Sequence, residues 1–171
     1  MRTTITLMLA LLITGCASYD GRGLKPGVSN LDDVTQLMGE PALRWQEPDG
    51  GQLLAYPRGP AGFNTYMVTI GSNGLLASRQ AVLNTRHFAL IREGMTPEEV
   101  LRILGPSVPA WTIYFERRDE LVWEWRYCDA WNEPARFNVL FDNTTKKVRT
   151  TQSYAEGQNK RWREWCGNEL Q

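Results

Sequence analysis

The sequence predicts an α+β chain of two tandem units, each with short helices packed on an antiparallel sheet of three to four strands. Three observations carry this. Residues 30–39 align without a gap on residues 96–105, at an offset of 66 positions. Both stretches read as capped helices with one apolar stripe. The segments that follow alternate apolar and polar residues with the period of a half-buried strand.

Each helix starts on a capping residue, Asn30 or Thr96, with an acid three positions on, Asp33 or Glu99, as a capping box requires. Pro97 stands at the first helical position, where its missing N–H costs nothing. Val34, Leu37 and Met38 fall at i, i+3, i+4, and Val100, Ile103 and Leu104 repeat the pattern. Gly39 and Gly105 stop the helices, each with a proline close behind. A further helix is expected over 85–93, capped by Asn84 and ended by Gly94.

In the first unit, Leu54 and Tyr56, then Tyr66, Val68 and Ile70, mark strands. A turn at 72–74 leads to an extended run over 75–83. In the second, Leu121, Trp123, Trp125 and Tyr127 share one face, and Phe137, Val139 and Phe141 form the next alternating set. Residues 148–154 return, and 111–115 form a further strand turning at 116–119. Trp162 and Trp165, three apart, mark a short C-terminal helix over 159–171. Either unit alone is marginal for a stand-alone core, so the two are expected to share a sheet or pack together.

Composition narrows the function classes. Nineteen Lys and Arg balance nineteen Asp and Glu, which argues against non-specific nucleic-acid binding. Residues 5–13 are a nearly continuous apolar run after Arg2. That run is too short to span a bilayer and fits a secretory signal peptide. It leads into Ile13, Thr14, Gly15 and Cys16, which resembles a bacterial lipobox. The resemblance implies cleavage before Cys16 and lipid attachment (diacylglycerol, with palmitate among the acyl chains) to its sulfur. Ala17 and Ser18 lack the Asp that retains many lipoproteins at the inner membrane, so outer-membrane sorting is expected, on the periplasmic face. In an oxidising periplasm Cys128 and Cys166 form either one disulfide or two free thiols.

The run 91–100 with Leu104 and Gly105, the aromatic strand 123–127 and the segment 137–142 resemble a BamE-like (SmpA/OmlA) domain. Residues 83–152 carry the likeness well. Residues 26–83 carry it more weakly, through 26–29 and 39–41. Two departures stand out: Pro106 directly follows Gly105, and the chain carries two units where most such lipoproteins carry one. Tandem units of this type also resemble the β-lactamase inhibitor protein fold. The expected organisation is a signal peptide over 1–15, a lipidated tether over 16–25, units over 26–83 and 84–155, and an extension over 156–171.

The BamE-like resemblance implies a non-catalytic, protein-binding accessory of the cell envelope that assists outer-membrane β-barrel assembly. The inhibitor-like alternative is a periplasmic module clamping an envelope enzyme. No arrangement in the sequence points to catalysis, a cofactor or a metal. His87 stands alone, and the acid pairs 32–33 and 98–99 suit first helical turns, where the macrodipole favours negative charge. For partner binding, Trp131 sits among polar turn residues, and Arg117 and Arg118, with Arg126 and Arg136, are candidates for a polar rim. Arg126 and Arg136 have a second reading, as cross-strand partners of Glu124. Trp123 and Trp125 also have two readings: core beneath the helix of Val100 and Leu104, or an exposed partner-binding ridge.

Overall fold

The computed structural model describes residues 20–59, 61–156 and 166. The signal peptide, Cys16 and, Cys166 apart, the predicted C-terminal helix lie outside the described residues. The elements are α1 (Leu31–Met38), β1 (Leu43–Gln46), β2 (Gln52–Pro57), β3 (Thr65–Ile70), β4 (Leu76–Ala81), α2 (Thr85–Phe88), α3 (Pro97–Leu104), β5 (Ile113–Phe115), β6 (Glu120–Cys128), β7 (Pro134–Asp142) and β8 (Lys147–Ala155). The strands make two four-stranded antiparallel sheets, β1-β2-β3-β4 and β5-β6-β7-β8. With the short helices this is an α+β fold.

Local chemistry explains the helix ends. The Asn30 side chain accepts from the Asp33 N–H, and the Asp33 carboxylate accepts from the Asn30 N–H, both at 2.9 Å. Thr96 and Glu99 make the same reciprocal pair at 3.2 and 2.7 Å. Gly39 and Gly105 leave the two helices at φ +82° and +70° with ψ near 180°, a region open essentially to glycine alone.

Three expectations need correction. The helix expected over 85–93 ends at Phe88, because long-range bonds pull the chain away from it. The Gly94 N–H donates to the Val148 carbonyl and the Val148 N–H to Met95, both at 2.8 Å, which fastens residues 94–95 to β8. The strand expected over 111–115 is a 3₁₀ turn, Pro109–Trp111, followed by the three residues of β5. The polar stretch read as a tether out to residue 25 is bound to the fold from Asp20 onward. Arg22 pairs with Asp20 at 2.7 Å, and Arg79 donates to the Asp20 carbonyl. The Gly27 N–H donates to Leu76 at 2.8 Å, and Leu24 packs on the core. β1 was not foreseen.

The packing is layered. On one face of the first sheet Leu54, Tyr56, Tyr66, Val68, Ile70 and Leu76 bury Val34 and Met38 of α1. The opposite face presents Leu43, Trp45, Leu53, Ala55 and Met67 to a second core. That core also holds Val100 and Leu104 of α3 and, from the second sheet, Leu121, Trp123, Trp125, Tyr127, Phe137, Val139 and Phe141. α3 therefore lies between the sheets, and the order of layers is α1, first sheet, α3, second sheet. Phe88 of α2 joins this core, stacked on Phe137 at 4.0 Å between ring centroids.

Polar contacts tie α3 to the first sheet. The Trp45 indole N–H donates to Glu98, and Arg102 pairs with Glu47 while lying 5.7 Å from the centroid of the Trp45 ring. Gly105 is wedged at the junction, where an added Cβ would stand 2.6 Å from Thr65 Cγ2.

Candidate interaction surface

The sequence candidates separate into four places. Trp125 is 1 % exposed, its indole N–H donating to the Gly105 carbonyl at 3.2 Å. Trp123 is half-buried, with its ring edge-on to Phe141 at 4.8 Å. Both face α3, because the period-2 alternation of β6 puts them with Leu121 and Tyr127 on the covered side of the sheet. As partner-binding residues they are corrected: they form the core.

Trp131 is 85 % exposed in the β6–β7 loop, whose backbone is held by Asp129 accepting from the Trp131 and Glu133 N–H groups at 2.8 and 2.9 Å. Arg117 and Arg118 lie in the 3₁₀ turn Glu116–Arg118, before the other end of β6. Nine residues of strand separate these places, about 27 Å at ~3.4 Å per residue. The arginines therefore cannot form a rim around Trp131.

Arg126 and Arg136 serve a different purpose. They stand directly opposite one another on β6 and β7, on the face of the second sheet away from α3. Their like charges are balanced by Glu124 and Glu156. Arg136 pairs with Glu124 and, at 2.7 Å, with Glu156; Arg126 reaches Glu156 at 2.6 Å. Tyr154 donates to Glu124 at 2.5 Å, and the Arg136 guanidinium lies 3.8 Å from the centroid of the Trp111 ring. Burial works to raise the Glu156 carboxyl pKa, but the hydrogen bonds from Arg136 and Arg126 outweigh it and leave it below the ordinary range. Burial and the Glu124 carboxylate raise the Tyr154 phenol.

The exposed apolar surface that sequence reasoning missed is β5. Ile113, Tyr114 and Phe115 are 50, 49 and 40 % exposed, three large side chains in succession on an edge strand. The sequence carries no signal of this exposure, since a short apolar run without alternation usually marks a strand buried on both faces. The adjoining turn is rigidly built. Asp119, at φ +45°, accepts from the Thr144 hydroxyl at 2.5 Å and the Tyr114 phenol at 2.9 Å, and its carbonyl accepts from the Asn143 N–H at 2.9 Å. The Thr144 and Tyr114 hydroxyls hold the Asp119 carboxyl below its ordinary pKa. Arg118 lies 4.5 Å from the Phe115 ring centroid and pairs with Glu120 at 2.8 Å.

Cys128, at the end of β6, is joined to Cys166 by a disulfide with a Cα–Cα distance of 5.8 Å. A cleft of about 360 Å³ opens between the β2–β3 loop and the segment after α3, lined by Pro57, Leu83, Pro106, Val108, Trp125 and Arg126 among others. Asn84 caps α2, its side-chain oxygen accepting from the His87 N–H at 3.2 Å and lying 3.0 Å from the ring Nδ1, and the His87 pKa is lowered by burial and then by Arg86. Among the described residues no group of three His, Cys, Asp or Glu side chains is placed to hold a metal ion, and no helix is long and apolar enough to cross a membrane.

No protein-family model, curated protein or solved structure matches the chain.

Proposed function

We propose that the chain is an outer-membrane lipoprotein, anchored through Cys16 on the periplasmic face, that binds envelope proteins without catalysis and assists β-barrel assembly. Its body is read as two tandem BamE-like units. That reading is supported by the matching capping boxes of α1 and α3, the matching glycine exits at residues 39 and 105, and the four-strand meander that follows each helix.

The observation that carries the functional reading is β5. An edge strand exposes unpaired backbone groups, and natural proteins usually blunt such edges. β5 is a short edge, three residues long, but it carries Ile113, Tyr114 and Phe115 exposed, with Arg117 and Arg118 just beyond. Added strands bind by backbone hydrogen bonds, with side-chain contacts selecting the partner. Tyr and Arg are favoured hot-spot residues. Barrel proteins under assembly are a partner class rich in unpaired strands.

The test is a mild-detergent pull-down of the tagged, lipidated protein from its own membranes, with Cys16→Ala and the double variant Ile113→Ser/Phe115→Ser as comparisons. Recovery of β-barrel assembly components, lost in the β5 variant, is the expected result. Recovery of one soluble enzyme instead, retained by Cys16→Ala, overturns it in favour of the inhibitor-like module.

A further inference from the structure

The short distance in sequence between the lipidation site and Asp20 limits how such a protein stands on a bilayer. This inference rests on the lipid-anchor reading of Cys16. Asp20, the first described residue, is held to the fold, its carbonyl accepting from Arg79. At Gly21 the chain already lies against α1, since a Cβ there would stand 2.8 Å from Met38 Sδ. Four residue steps separate Cys16 from Asp20. Whatever their conformation, they reach at most about 14 Å.

Their attachment point is on one side of the molecule. Met38 belongs to α1, and Arg79 lies 5.3 Å from the centroid of the Tyr66 ring, on the face of the first sheet that α1 covers. α3 and the second sheet lie on the opposite face. With layers spaced about 10 Å, the far face of the second sheet is roughly 30 Å beyond α1, twice what the leash can span.

We infer that the lipid surface is a binding partner of the segment 20–30, beside the end of α1, with the far face of the second sheet held off the bilayer. Val28 is the apolar contact, 70 % exposed in the turn that follows Lys25. In such an orientation Trp131, in a loop of the second sheet, stands farther from the lipid than Val28.

The test places an environment-sensitive fluorophore at Val28→Cys or at Trp131→Cys in the full, lipidated protein, with the native disulfide kept oxidised. The probe is a vesicle of phosphatidylethanolamine and phosphatidylglycerol carrying a headgroup-linked quencher. Quenching is expected to be several-fold stronger at position 28 than at position 131. The contrast should collapse when a Gly-Ser insert of about twelve residues lengthens the leash before Asp20. Equal quenching at the two positions, or a contrast that survives the insert, overturns the proposal. An intact mass without acyl chains on Cys16 marks failure of the anchor reading instead.

Discussion

The indole of Trp125, on the second sheet, donates to the carbonyl of Gly105, whose Cα is pressed against Thr65 of the first. This one residue, at the end of α3, joins the two halves of the core. A side chain at Gly105 would strike Thr65, whereas at Gly39, in the same backbone conformation, an added Cβ would meet nothing within 4 Å. Replacing either glycine by alanine should cost about 1–3 kcal/mol for the backbone alone. Gly105→Ala should cost a further 1–3 kcal/mol from overpacking. Urea unfolding of both variants measures the difference, and equal losses would show that the sheets do not depend on this contact.

The two tryptophans of the β6–β7 region should separate in the same assay. Trp125→Phe removes a buried hydrogen bond and leaves a void, for an expected loss of about 2–4 kcal/mol. Trp131→Ala should change stability by less than about 0.5 kcal/mol, as exposed substitutions usually do. A large loss at Trp131 would place it in the packing.

Acid should weaken the fold through the β7–β8 turn. The Thr145 N–H, at 2.7 Å, and then the Arg149 guanidinium, at 2.5 Å, hold the Asp142 carboxyl at about 2 against an ordinary 3.8. Between those pH values the folded chain binds fewer protons than the unfolded one. The contribution is therefore whole above pH 3.8 and is lost as pH falls through about 2. Thermal midpoints should drop across that window, and Asp142→Asn should lower the midpoint above it while flattening the slope within it.

The Cys128–Cys166 bridge closes a loop across 38 positions. Chain entropy puts its contribution at about 4 kcal/mol. The oxidised protein should weigh two hydrogens less than the reduced one, and Cys128→Ser/Cys166→Ser should lower the thermal midpoint. An unchanged midpoint would mean that the bridge constrains only a segment already independent of the core.

What was legible in the sequence was local. Asn30 with Asp33 and Thr96 with Glu99 announce helix starts because each box closes within one turn. The alternation of β6 and β7 announces strands because side-chain direction has period two. What stayed hidden depends on distant partners. The polar loop around Trp131 marks it as a surface residue, but nothing local to β6 decides whether the face of Trp125 is covered by α3 or left open. α2 stops early because Val148, sixty residues on from Phe88, claims the backbone of Gly94 and Met95. The first sheet is covered on both faces because α3, from the second half, lies on the face that α1 leaves open.

The most direct test of the account replaces Tyr114 with a photo-crosslinking phenylalanine analogue in the lipidated protein in its own membranes, with Trp131 replaced in parallel. Adducts to β-barrel assembly components or their client strands from position 114, and far fewer from position 131, are the predicted result. Adducts from position 131 alone, or from position 114 only to a soluble enzyme, would contradict it.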